Sequence, residues 1–256
     1  MRSKTMVSMV LGSVVLCAGW VLAGEGYEEV FDQSYALAAG GTVSLDNVNG
    51  DVSIEAWQRN EVEVHAIKSA STPELLSGLE VDVSADGNAV RIDTHYPRMH
   101  GPESGKRTFA KVEYTLMVPR TAWLAGIDLV NGNLTVVGVE GGLEVETVNG
   151  NISIRACAGG ADLDTVNGAI EAYVDRLEQG ETLELESVNG QLDLYLTGSV
   201  GADLRAESVN GRLDNDLGFD VRKGKYVGSD FSGRIAGGGA EVSLETVNGP
   251  ITVHGL

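Results

Sequence analysis

Leu143-Glu144-Val145-Glu146-Thr147-Val148-Asn149-Gly150-Asn151-Ile152-Ser153-Ile154 decides the reading of the whole chain. Apolar and polar residues alternate on both sides of an Asn-Gly pair, the pattern of two short strands, each with one buried and one wet face. The Val-Asn-Gly core of this stretch recurs, with its asparagine at Asn49, Asn131, Asn149, Asn167, Asn189, Asn210 and Asn248. From Asn131 onward the spacings are 18, 18, 22, 21 and 38 residues, and the last divides if Ser232-Gly233 is a degenerate copy. A unit of about 20 residues repeated this regularly marks a stacked architecture.

Two all-β arrangements fit. Asn-Gly favours a type I′ hairpin turn, which would give an antiparallel meander. Alternatively each unit is one coil of a β-solenoid (parallel β-helix-like), with Asn-Gly at a corner, glycine in the left-handed region and asparagines bonded along a column. Aligning the copies favours the solenoid. Four residues before each asparagine stands Leu45, Ile127, Val145, Leu163, Leu185, Ala206 or Leu244, and three residues after it Val52, Leu134, Ile152, Ile170, Leu192, Leu213 or Ile251. Like residues in like columns are what stacked coils need. On this alignment residues 125–256 should hold about seven coils. Outward positions filled by Glu, Asp, Ser and Thr exclude a membrane barrel, whose outer face is apolar.

Residues 24–124 read as a less regular β-rich part of the same domain, with strands around Val62–Ile67, Val81–Ser84 and Val112–Val118. Asp86-Gly87-Asn88 reads as a hairpin turn. Thr72-Pro73-Glu74-Leu75-Leu76-Ser77-Gly78 carries the only helix signals, a cap, a proline in the first turn and a terminal glycine. The stretch 97–108 has breakers and no periodicity and reads as a surface loop.

Residues 1–23 read as a signal peptide. Arg2 and Lys4 precede the apolar run 6–20, and Val21-Leu22-Ala23 is a small-x-small cleavage site, placing the mature start at Gly24. The expected location is therefore outside the cytoplasm: periplasmic first, secreted or cell-surface otherwise, with no membrane span in the mature chain. Cleavage removes Cys17 and leaves Cys157 alone, to be expected as a small buried residue at a turn.

The 256 residues carry 18 Lys and Arg against 37 Asp and Glu, a formal charge of −19. Such a surface repels nucleic acid and anionic lipid. With 43 % hydrophobic residues, the chain is not an acidic disordered tail.

A segment Gly50-Asp51-Val52-Ser53-Ile54-Glu55-Ala56-Trp57, a strand ending at Val118-Pro119 and the serial Val-Asn-Gly units together resemble a bacterial envelope family of unknown function provisionally named as adhesins, similar in style to auto-transporter adhesin head domains. The resemblance spans residues 40–256. It implies a β-solenoid in the cell envelope and supplies no catalytic residues.

The residues themselves offer little chemistry. Two-residue corners leave little room for a catalytic cleft. His65, His95, His100 and His254 lie outside the regular units or at the chain end, and no Cys and His pair has zinc spacing. No phosphate loop or nucleophile elbow is present. The expectation is no enzyme, no cofactor and no metal.

Two features could still bind. Three residues before each asparagine stands an acid: Asp46, Asp128, Glu146, Asp164, Glu186, Glu207 or Glu245. This column is a solvated face or, on a sharper reading, a rail for cations. Arg98, Lys106, Arg107 and Lys111 concentrate positive charge in and beside the 97–108 loop, as do Arg222, Lys223 and Lys225 in the irregular unit. These bases either neutralise neighbours or contact an anionic polymer or acidic partner.

The reading is an exported, non-enzymatic, adhesin-like module of the envelope whose partner is an envelope protein or polymer. Rival readings are a sensor or accessory subunit of an envelope-stress system and a carbohydrate-active β-helix enzyme. Because no capping helix follows the last coil, that coil is expected to meet another chain, by self-association, or the protein's own N-terminal strands.

Overall fold

In chain order the strands are β1 Val21–Ala23, β2 Gly26–Ala36, β3 Thr42–Asn49, β4 Val52–Trp57 and β5 Glu61–Ala70, followed by the short helix α1 Pro73–Ser77. Then come β6 Glu80–Ala85, β7 Ala89–His95, β8 Ala110–Pro119, β9 Trp123–Asn131, β10 Leu134–Val137, β11 Leu143–Asn149 and β12 Ile152–Ala158. The chain continues through β13 Ala161–Asn167, β14 Ile170–Arg176, β15 Thr182–Asn189, β16 Leu192–Leu196, β17 Ala202–Ser208 and β18 Leu213–Asn215. It ends with β19 Arg222–Lys223, β20 Ser229–Ile235, β21 Ala240–Asn248 and β22 Ile251–Gly255. The structure, a computed structural model, describes residues 21–23, 26–97, 108–224 and 227–256. The signal-peptide core, most of the basic loop (Arg98, His100, Lys106 and Arg107) and Lys225 lie outside them.

The fold is all-β, with two eleven-stranded mixed sheets. The two strands flanking each Asn-Gly never pair with one another. β11 lies in one sheet between β9 and β13, while β12 lies in the other between β10 and β14. All four pairings are parallel, so the Asn-Gly steps are corners between sheets and the meander reading fails. Equivalent residues sit side by side: Val145 beside Leu163, Leu163 beside Leu185, and Ile152 beside Ile170. A parallel pair needs a connection long enough to return to the same edge, and here the opposite sheet's strand supplies it. The inward columns on both sides of Asn-Gly are buried throughout, which makes one continuous apolar core.

Spatial order departs from chain order at the C-terminal end. β21 lies between β15 and β17, and β22 between β16 and β18. The chain builds β17 and β18 one place further out and returns to fill the gap with its last two strands. Both C-terminal strands are thus flanked within the chain, by β15 and β17 and by β16 and β18, and not by the N-terminal strands. The outermost strands at this end are β18 in one sheet and β19 in the other. Ser232-Gly233 is not a repeat either, since β20 runs antiparallel to β17. Residues 125–256 therefore hold six strand pairs, from β9 with β10 to β21 with β22, where about seven coils were expected. A seventh pair comes from β3 and β4, aligned with β9 and β10. The outermost strand β19 is two residues long, both basic, a short charged edge that discourages further pairing.

The glycines of the repeat act differently from expectation. Among them only Gly50 has a positive φ, +125°. What excludes a side chain is the neighbouring backbone: a Cβ on Gly150 would lie 1.9 Å from the Gly132 carbonyl oxygen, and one on Gly190 1.7 Å from that of Gly168. The glycines stack carbonyl over Cα from rung to rung, so the constraint is close approach rather than handedness.

The less regular part follows its sequence signals. Asp86 accepts hydrogen bonds from the Asn88 and Ala89 amides in the β6–β7 hairpin. Thr72 caps α1 by accepting from the Leu75 amide.

Candidate functional site

Each Val-Asn-Gly rung presents an outward acid, an inward residue that is Thr or Ser on five rungs and Asn47 or Leu129 on the other two, and an outward Val and Asn. In β11, Glu146 points out, Thr147 in, and Val148 and Asn149 out. The inward Thr or Ser ties the corner together. Thr165 donates to the Gly150 carbonyl, Ser187 to Gly168, Thr246 to Gly190 and Ser208 to Gly249. These hydroxyls are buried and occupied by the backbone.

The asparagines form one uninterrupted ladder. The Nδ2 of Asn131 donates to Asn49 Oδ1 at 2.9 Å, Asn149 to Asn131 at 2.9 Å, Asn167 to Asn149 at 3.0 Å and Asn189 to Asn167 at 2.9 Å. Asn248 continues it onto Asn189 at 2.9 Å, and Asn210 onto Asn248 at 3.0 Å. Each amide uses one donor and one acceptor along the stack, and in register the ladder costs no buried unpaired group.

Beside the ladder, the outward valines Val48, Val130, Val148, Val166, Val188, Val247 and Val209 are each between 38 % and 47 % exposed. Beyond them, two residues back along each strand, runs the acidic row. It is longer than the sequence showed. Asp93 of β7 extends it past Asp46 at one end, and Asp230 of β20 extends it past Glu207 at the other. Between valines and acids lies a groove of about 760 Å³ that crosses all seven strands from β3 to β17. Its walls are a carboxylate row and a methyl row about 6.8 Å apart, its floor is the buried column of Asn47, Leu129 and five Thr or Ser residues, and it runs for about 29 Å at about 4.8 Å per rung.

Charge along the groove is uneven. At one end Arg91 pairs with Asp46 at 2.6 Å and Asp93 at 2.8 Å. At the other end Arg205 pairs with Glu207 at 2.6 Å and Arg222 pairs with Asp230. Among the described residues, Asp128, Glu146, Asp164, Glu186 and Glu245 have no such cation, and Glu144, Asp162 and Glu184 flank them unpaired on the same strands. Asp164 has one oxygen, Oδ1, buried without a hydrogen-bond partner. Burial, followed by the charges of Asp162, Glu186, Glu146 and Glu184, pushes its pKa up to about 6. Glu186 is also raised, by burial and then by the charges of Glu245, Glu184 and Asp162. Asp46 is also raised to about 6, by burial and the Asp93 contact against the opposing pull of Arg91.

The row does not form a chelating site. No three His, Cys, Asp or Glu among the described residues converge on a metal position. Successive carboxylates on rungs about 4.8 Å apart offer an ion two ligands per gap, whereas calcium takes 6–8 oxygens.

Other candidates fall elsewhere. Lys111 is paired with Glu113 at 2.9 Å on the outer face of β8. Cys157 is buried and free, and burial raises its thiol pKa, the opposite of an activated nucleophile. His65 faces Asp32, and His254 faces Asp216 while stacking on Tyr195. Tyr173 stacks on Tyr195 in turn, with ring centroids 4.1 Å apart, and Arg155 covers the other face of Tyr173. This stack went unnoticed in the sequence. Its rings occupy one another's faces, so it offers no platform for a sugar ring.

No protein-family profile matches the chain, and no curated protein does. Among solved structures, a cell adhesion protein of Clostridium sporogenes, so named provisionally, aligns with 89 % of this chain and all of its own at 16 % identity and a TM-score of 0.43. A provisionally named adhesin of Bacteroides fragilis aligns over 89 % of this chain and 97 % of its own at 13 % identity and a TM-score of 0.37. A provisionally named lipid binding protein of Parabacteroides distasonis covers 90 % and 96 % at 9 % identity and a TM-score of 0.31. Likeness this distant assigns neither family nor activity.

Proposed function

We propose that the chain is an exported, non-enzymatic binding module of the cell envelope, a β-solenoid of the adhesin-like kind whose rungs are the paired strands around each Asn-Gly corner. One observation carries this reading: an acid and a valine recur on seven rungs, with a hydroxyl between them on five, and line one open groove. Repetition of a surface unit suits a long ligand met at many equivalent points, not a reaction at one point. Catalysis would need unlike groups brought together, a nucleophile with a base or an acid with a base of separated pKa. The groove instead repeats one carboxylate chemistry.

The leader-like residues 1–23 support export, and among the described residues no helix is long and apolar enough to cross a membrane. The test is retention on envelope fragments. Labelled protein should sediment with them, and Val148→Lys together with Val188→Lys should abolish sedimentation while leaving the circular dichroism spectrum unchanged. Equal sedimentation of the folded variant would remove the groove from the function.

A further inference from the structure

The groove joins two properties that seldom coincide: a row of carboxylates without counter-ions and a parallel row of exposed methyl groups. A solvated face would need only the first. Seven exposed valines in file are an apolar surface left open, and of the 13 large hydrophobics exposed among the described residues, seven stand in this one row. The geometry points to a linear aliphatic polyamine as the occupant, lying along the groove with its ammonium groups on the acidic wall and its methylene runs on the valine wall. This rests on the reading of the chain as a binding module and names that module's ligand class.

Three arguments select this chemistry. The first is charge. The middle of the row, Asp128, Glu146, Asp164, Glu186 and Glu245, is paired with no basic side chain among the described residues, while both ends are closed by arginines. The unneutralised stretch is therefore bounded, and it coincides with the central run of the groove. The second is pitch. Two nitrogens joined by three methylenes in extended form are about 5 Å apart, four zigzag bonds of about 1.5 Å each. The rungs repeat at about 4.8 Å, so successive ammonium groups meet successive carboxylates.

The third argument is exclusion. A compact metal ion finds only two ligands per gap and gains nothing from the valines. An α-helix about 10 Å across is too wide for walls about 6.8 Å apart. An extended peptide would fit in width, but its backbone N–H and C=O groups would face methyl groups and a floor whose five hydroxyls are buried, four of them bonded to glycine carbonyls. The groove walls are interior strands of a sheet, already paired on both sides, so they offer no backbone edge. A polyamine has no backbone amides to satisfy.

Isothermal titration of the purified protein at fixed ionic strength tests this with 1,3-diaminopropane, the linear triamine and tetramine of the same spacing, hexamminecobalt(III), calcium and a Lys-rich peptide. Affinity should climb from diamine to tetramine, and the triamine should exceed the trivalent but compact cobalt complex. Val166→Ser with Val188→Ser should weaken the tetramine about tenfold and leave the cobalt complex unchanged. Asp164→Asn with Glu186→Gln should weaken both. Equal affinity for triamine and cobalt complex, indifference to the valine substitutions, or a peptide that outcompetes the tetramine would each overturn the polyamine assignment. If no polyamine binds while envelope retention persists and is lost in the Lys variants, the ligand class is wrong and the binding-module reading stands.

Discussion

Asn248 donates its side-chain amide to Asn189 at 2.9 Å although 59 residues separate them, while Asn210, nearer in sequence, is reached only through Asn248. The last repeat is thus an internal rung. It joins the β17–β20 segment to the rest of the molecule, and the two stretches on either side of it have no direct strand pairing across that position.

Removing residues 240–256 should therefore do more than shorten a stack by one unit. With β21 and β22 gone, β17 and β18 lose their partners on the inner side, and Ala206 and Leu213 lose their neighbours Leu244 and Ile251. Limited proteolysis of the truncated chain should cut freely within residues 200–235 while 110–196 stays resistant. Protection of both regions, as in the full chain, would show that β17 can close directly onto β15.

The asparagine ladder should contribute in proportion to position. Asn189→Ala breaks two side-chain bonds, to Asn167 and from Asn248, whereas Asn210→Ala at the end of the column breaks one. These groups are exposed, so each bond is worth at most about 1 kcal/mol. Urea unfolding should show Asn189→Ala destabilised by about twice as much as Asn210→Ala. Equal effects would mean that the corner backbone, not the ladder, carries the stability.

The columns were legible because alternation and repetition constrain the same residues twice: Leu163 is inward by period two and again by its alignment with Val145. The order of rungs was not legible. Every unit offers its neighbours the same edge, so nothing in Thr246-Val247-Asn248-Gly249 distinguishes a place after Asn210 from one between Asn189 and Asn210. The valine wall was implicit, since Val148 stands two residues from outward Glu146, but a motif seen as a corner drew attention to Asn and Gly. The aromatic stack was also available, for Arg155, Tyr173, Tyr195 and His254 all stand six residues after a repeat asparagine. The role of the glycines was misread because sequence shows a missing side chain without showing what fills its place.

That role gives a sharp contrast between two glycines. Gly168→Ala would put a Cβ 1.9 Å from the Gly150 carbonyl oxygen, and that oxygen belongs to the backbone and also accepts the Thr165 hydroxyl. The rungs must spread to admit it, so the loss should exceed about 3 kcal/mol, at the upper end for overpacking. Gly198→Ala meets its nearest atom at 3.4 Å and should cost less than about 1 kcal/mol. Thermal melts of the two variants check this, and a Gly168→Ala protein as stable as Gly198→Ala would refute the stacking explanation.

Asp164 should make the protein less stable at neutral pH than in mild acid. Its folded pKa of about 6 lies above the ordinary 3.8, so between those values the folded chain holds a proton that the unfolded chain has released. Stability then falls as pH rises through this window, and above pH 6 the full cost of the charged form is present. The cause is burial first and then Asp162, Glu186, Glu146 and Glu184, and Glu186 shifts in the same direction. Asp164 is only half-buried, and solvent screens the effect, so the direction is the prediction. Asp164→Asn should raise the melting temperature at pH 7, leave it nearly unchanged at pH 4 and flatten the dependence between. Melting curves across pH 4 to 7 decide it: a variant that parallels the wild type throughout would show that Asp164 ionises at no cost and that the acidic wall is ordinary solvated surface.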